Sequence, residues 1–487
     1  MESVNNWLKC FDEIKESKIK PFKDHVLSGL LNDHELNSYA VLQSAFVLFN
    51  GNLSENQERL YKFYLPALSK DLKLSEIVSQ AQSINDEKLN EYIKLLEDKA
   101  IVFLFLLDVL VFARLDNTLT DEFKSVLNSF CYSLSLSGEE IEQVVYLCDC
   151  ILGIEIEKKP ELLDLFFEMI KNPIWIEFFS KPITKNNIFD IKNGIWCIDE
   201  PIELLDGDIS WKNSVIIFDG FGRLDHFNGY FISDNTHIIS PVIKTNDVTI
   251  YMESVDIKGE YKLEEKITAI DINASEKVVV KNSKVKTVNA RAFSFCQHST
   301  SGWFENTDFV GCGNENLLGG AVKFIEKAYF KNCNFNDCKA KVGGALFFKT
   351  SYQDNIVDCN FKNCLSITVW GENINAGAIY FQSSNSYNMS CIVSSNIQGD
   401  ISIYTLDSHS SYKQTIVNSY LSGLLFYYNY ANNSGHINML DNKSQILSGV
   451  NDSYGKNHQS NEIEQYDSLI IAMHKGAADV KGVYEFI

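Results

Sequence analysis

Phenylalanine stands at positions 309, 335 and 361 and cysteine at 312, 338 and 364, so two interior-favouring residue types recur together every 26 residues. A fixed period of about 20–50 residues marks a stacked repeat, in which positions one period apart lie above one another. This period constrains the chain more than any single motif. It makes Phe309, Phe335 and Phe361 one column, Cys312, Cys338 and Cys364 a second, and Phe304, Phe330 and Ile356 a third. Cys333 and Cys359 stack likewise.

Two short strand patterns extend the repeat in both directions. One runs Ala269-Ile-Asp-Ile, Ala292-Phe-Ser-Phe, Ala321-Val-Lys-Phe, Ala345-Leu-Phe-Phe and Ala378-Ile-Tyr-Phe. The other places Ile257, Val285, Phe309, Phe335, Phe361, Ile397 and Leu421 in register, with steps of 28, 24, 26, 26, 36 and 24 residues. Each step is one coil, and the longest holds an inserted loop. All seven prolines lie at or before Pro241, as continuous inter-coil ladders require, because a residue without an N–H interrupts them.

The text before about residue 180 differs. Apolar residues fall at helical spacing, as in Leu60, Phe63, Tyr64 and Leu68. Ser54, Thr120 and Ser137, each followed by acids, are helix starts, since a hydroxyl caps unpaired N–H groups and acids suit the positive helix end. The expected architecture is multidomain: an all-α bundle over 1–185, then a right-handed parallel β-helix. The latter has an entry or capping region over 186–245, coils over 246–450 and a capping or partner-binding tail over 451–487. In the tail, Ile463, Tyr466, Leu469, Ile470 and Met473 predict an amphipathic helix that covers the open end of the solenoid.

The pairs Phe309-x-x-Cys312 with Gly319-Gly320-Ala321-Val322, and Phe335-x-x-Cys338 with Gly343-Gly344-Ala345-Leu346, resemble the FxxN and GGAI repeats of polymorphic outer-membrane proteins and related pectate-lyase-like β-helices. Cysteine replaces that family's asparagine, and only the coil architecture is implied. Two helix–loop–helix stretches, around Phe49 to Glu58 and around Ala113 to Glu122, resemble TerB-type helical domains of tellurite resistance. That resemblance implies a stress or defence setting and acidic loops that hold divalent cations. Here Asn50 and Asn117 stand within those loops, which weakens the implication. Asp108, Asp116, Asp121 and Glu122 are the oxygen ligands left to form such a site.

The charge excludes some partners. Forty-three Lys and Arg against 64 Asp and Glu give a net charge of -21, which opposes long-range attraction to nucleic acid or anionic membrane. The most apolar run, Ala100 to Ala113, contains Asp108 and is short for a membrane span, so it reads as a core helix. The start of the chain does not read as a secretory signal, and twelve cysteines then read as thiols in a reducing compartment, the cytoplasm. Stacked within coils, they serve as small apolar fillers rather than redox or metal sites.

No GxSxG, phosphate loop or HExxH motif occurs, and no cofactor is implied. A carbohydrate-active enzyme, the alternative that the β-helix suggests, needs paired carboxylates on one face. The local candidates are Asp219, Asp225, His226, Asp234 and His237. The favoured expectation is a non-enzymatic scaffold that recognises another protein through a rigid β-helix and a helical docking domain, with Trp370, Tyr427, Tyr430, Tyr484 and Phe486 as contact aromatics.

Overall fold

A computed structural model of the chain describes residues 24–116, 118–155, 174–175, 179–262, 267–273, 277–296, 301–324, 327–349 and 354–366 and, beyond these, the strands between Ala376 and Val480. The chain divides into two compact units, Met1–Lys181 with Asn193–Ile195, and Pro182–Lys192 with Trp196–Ile487.

In the first unit, seven α-helices lie among the described residues: α1 Asp33–Phe49, α2 Glu55–Leu68, α3 Leu74–Gln82, α4 Asp86–Lys94, α5 Lys99–Arg114, α6 Asp121–Ser133 and α7 Gly138–Leu152. The predicted starts act as caps. Ser54 and Ser137 form capping boxes with Gln57 and Glu140, and Thr120 Oγ1 accepts from the Phe123 amide at 3.1 Å. Asn32 caps α1 in the same way, with Glu35 reaching back. Every residue from Val102 to Ala113 is buried, so the apolar run is the core helix its composition predicts. No helix among the described residues is long and apolar enough to cross a membrane.

The second unit is a right-handed parallel β-solenoid in which each coil lays its strands on those of the previous coil. The predicted registers hold. Val285 pairs with Ile257 and Phe309, Phe335 with Phe309 and Phe361, and Phe361 with Ile397. Phe304 pairs with Phe330 and Phe330 with Ile356. A third column runs Ile270, Phe293, Val322, Leu346 and Ile379. Their side chains fill one continuous core, and the Phe309, Phe335 and Phe361 rings stack with centroids 4.8 and 4.5 Å apart.

The entry region, 186–245, already holds coils, with Ile216, Ile238 and Ile257 as stacked partners at spacings of 22 and 19 residues. One expectation needs correction. In the tail, Leu469–Met473 is a strand, not part of a helix, and it pairs parallel with Tyr420–Asn429. The last coil offers a row of unpaired N–H and C=O groups, which a strand satisfies and a helix would leave open.

One corner of the coil is invariant. Ser233, Met252, Val280, Phe304, Phe330 and Ile356 each precede by five residues the core residues Ile238, Ile257, Val285, Phe309, Phe335 and Phe361. Between them sits a left-handed residue, Asn235, Ser254, Asn282, Asn306, Asn332 or Asp358, with φ between 49° and 54°. Asparagine adopts this conformation at low cost. It also stacks: Asn306 Nδ2 donates to Asn282 Oδ1, and Asn332 Nδ2 to Asn306 Oδ1, both at 2.9 Å.

The Gly-Gly-Ala motif marks a close approach elsewhere in the coil. A Cβ on Gly320 would collide with the carbonyl of Gly344 in the next coil, and one on Gly344 with the backbone of Cys364 and Leu365.

Candidate recognition face

Strand alternation decides what the solenoid presents outward. In the strand Ser301–Glu305, Gly302 and Phe304 are buried while Trp303 is 37% exposed. The residues stacked with Trp303 form an outward column of Ile232, Tyr251, Val279, Trp303 and Tyr329 over five consecutive coils. Ile232 and Tyr251 are as exposed as Trp303, whereas Val279 is only 8% exposed. Consecutive apolar side chains on an outer face are the feature that marks contact surfaces.

A charged column flanks this one, in the order Lys212, Asp234, Glu253, Lys281, Glu305 and Lys331. Glu305 lies 3.3 Å from Lys281 Nζ and 3.4 Å from Lys331 Nζ. The Lys281 hydrogen bond holds the Glu305 carboxyl below its ordinary pKa. A cleft of about 510 Å³ is lined by Ile232, Tyr251, Val279 and Trp303 of the apolar column and by Lys212, Asp234, Glu253, Lys277 and Lys281. Trp303 stacks on Tyr329, with centroids 3.9 Å apart, and also lines the cleft.

The residues considered for catalysis are dispersed by the fold. Asp219 lies in the turn after the strand Ile209–Phe218, its carbonyl accepting from the Gly222 amide. Asp225 pairs with Arg223 at 3.1 Å. The adjacent His226 is buried, and its Nε2 donates to the Gly207 carbonyl at 2.7 Å; burial lowers its pKa. Asp234 ends the same strand, Arg223–Asp234, beside the cleft, and buried His237 has Nδ1 3.2 Å from Asp256 Oδ2. Asp225 and Asp234 thus stand near the two ends of a 12-residue strand, and both histidines are buried. A second polar group, Asp271, Ser294 and Lys323, follows the column of Asp225 and Lys244. There Cys296 Sγ donates to Asp271 Oδ1 at 3.0 Å, and burial raises the thiol pKa, which opposes a nucleophilic role.

The four candidate metal ligands do not converge. Asp108 lies fully buried in α5, where Oδ2 accepts from Tyr39 and Tyr64 hydroxyls at 2.7 and 2.5 Å and Oδ1 from Trp175 Nε1 at 2.7 Å. The Leu27 amide donates to His25 Nδ1, which leaves Nε2 to meet Asp108 Oδ2 at 3.3 Å. Burial, reinforced by the Asp108 charge, pushes the Tyr39 and Tyr64 hydroxyls well above their ordinary pKa. Asp116 accepts from Ser54 and from Asn56, the latter at 2.8 Å, and Asp121 pairs with Lys124 at 3.0 Å. Glu122 is an exposed acid in the first turn of α6. No group of three His, Cys, Asp or Glu placed to hold a metal ion occurs among the described residues.

No disulfide occurs among the described cysteines. Cys312 and Cys364 are buried and donate to the carbonyls of Val285 and Phe335 in the preceding coils, at 3.5 and 3.3 Å. Burial raises the Cys312 and Cys359 pKa values. Of the expected contact aromatics, Tyr427 lies in the strand Tyr420–Asn429 opposite Thr405 and Met473. Trp370, Tyr430, Tyr484 and Phe486 lie outside the described residues.

The core period, carried by Phe and Cys, does not by itself point to the outer column. Its signal was present: Trp303 and Tyr329 are 26 residues apart, each just before a core phenylalanine. Comparison with known protein families, curated proteins and solved structures gives no match to this chain.

Proposed function

We propose that the protein is a non-enzymatic recognition scaffold that binds another protein through the outer face carrying Ile232, Tyr251, Val279, Trp303 and Tyr329. The single observation behind this reading is the outward apolar column, lowered only at Val279 and held on five rungs that are hydrogen-bonded above and below. Rungs fixed in this way lose little freedom on binding, so a side-chain surface of this kind binds with a small ordering cost. Aromatic residues at such places dominate contact energies.

The cytoplasm is the compartment we assign, because the thiols of the core suit a reducing setting. The Gly-Gly-Ala close approach favours a coil construction of the pectate-lyase-like type. A TerB-like arrangement of the helical unit and a stress or defence setting belong to the same proposal, on the resemblance of the stretches around Phe49 to Glu58 and Ala113 to Glu122.

Crosslinking in native cells tests the recognition reading. A partner captured by the native chain should be lost from a Trp303→Lys, Tyr329→Lys chain of unchanged thermal stability. Retention of the same partner by that variant would remove the proposed face.

A further inference from the structure

The outer column is an aromatic stack with one ring missing. Inside the solenoid, rings on adjacent rungs stack at 4.5–4.8 Å, as Phe309, Phe335 and Phe361 do. Outside, Trp303 and Tyr329 stack in the same manner at 3.9 Å. Between Trp303 and Tyr251 the rung carries Val279, whose side chain stays low on the surface. The two aromatic residues are therefore separated by two rungs, about 9.6 Å. One planar ring placed over Val279 would lie within ordinary stacking distance of both.

The rim selects among rings. Lys212, Lys277 and Lys281 line the cleft beside Asp234 and Glu253, three cationic side chains to two acidic ones, and Glu305, which is not among the lining residues, pairs with Lys281 at 3.3 Å. We infer that the cleft between Tyr251 and Trp303 is an anchor site for an aromatic side chain of a partner protein, flanked in that partner by acidic residues. This rests on the recognition face proposed above and names the chemistry that would occupy it. The guest ring completes the stack over Val279, and its neighbouring carboxylates meet the rim lysines. The carboxylates of Asp234 and Glu253 remain as acceptors for the guest's backbone amides.

The test uses the full chain and a blocked Glu-Tyr-Glu tripeptide, read by saturation-transfer NMR on the tyrosine ring protons. The native chain should give a saturable signal. Val279→Phe, which fills the gap with the protein's own ring, should weaken it about fivefold, the worth of roughly one aromatic pair. Val279→Ala keeps the gap and should keep the signal. If Val279→Phe does not fold, Trp303→Leu removes one wall and should give the same loss.

Equal binding of a Glu-Leu-Glu tripeptide, or an unchanged signal in Val279→Phe and Trp303→Leu, would overturn the ring site. Tighter, gap-dependent binding of AMP would overturn the protein source of the ring. A crosslinked partner retained by Val279→Phe but lost from Trp303→Lys, Tyr329→Lys would overturn this inference alone and leave the recognition face standing.

Discussion

The two units solve the problem of a unique core in opposite ways. The helical unit builds its centre around one charge, Asp108, with four donors drawn from positions 25, 39, 64 and 175. The solenoid builds its centre from repeated apolar positions, each supported by the same position one coil away. In the first, one carboxylate joins partners far apart in the chain. In the second, the support is shared along a column, so the effect of a change is graded.

The largest effect should follow Asp108→Ala, which leaves buried donors on Tyr39, Tyr64 and Trp175 without their acceptor. Breaking such a set costs about 3–5 kcal/mol. Thermal unfolding followed by helical circular dichroism should show it, and a loss under about 1 kcal/mol would mean the network is not what holds this core. In the solenoid, Asn306→Ala removes two ladder hydrogen bonds and places alanine at φ 50°, a loss of about 2 kcal/mol in denaturant unfolding. Asn306→Gly keeps the backbone and should lose roughly half of that. Equal losses for the two would place the whole effect in the hydrogen bonds.

Phe335→Leu should cost about 1.5 kcal/mol or less, because volume is nearly kept. Combined with Phe361→Leu, the loss should be non-additive, since the rings touch. Additive losses would contradict a shared column. A pH slope should come from His226. Burial depresses its pKa against the opposing pull of the Gly207 carbonyl and the Asp208 and Asp206 charges. The unfolded chain then takes up a proton near pH 6.5 that the folded chain refuses, so stability falls as pH drops below that value. His226→Gln should flatten this slope between pH 6.5 and 5. Last, Lys331→Met breaks only an exposed pair with Glu305 and should change stability by about 0.5 kcal/mol or less.

The same contrast explains what the sequence disclosed. Phe309, Phe335 and Phe361 announce their stacking because translation by one coil repeats the chemistry at a fixed spacing. The asparagine corner was legible on the same principle, three residues before each core position, yet it passed unread because Ser254 and Asp358 interrupt the letter without interrupting the conformation. The Asp108 network leaves no such trace: its members share no spacing, and only three-dimensional packing unites them. The tail misled for a different reason. Ile463, Tyr466, Leu469, Ile470 and Met473 satisfy helical spacing, but the unpaired edge of the preceding coil offers hydrogen bonds that local spacing does not register.

The invariant five-residue corner also locates where this chain can grow. From Val285 to Phe293 the chain takes eight residues to reach the next column, and from Phe361 to Ile379 it takes eighteen, with both pairs of columns still in register. Loop closure depends only weakly on length. Segments grafted on that side of the coil will therefore be displayed outward while the rungs stay in place, which gives the molecule a frame that tolerates novelty at one edge and forbids it at another.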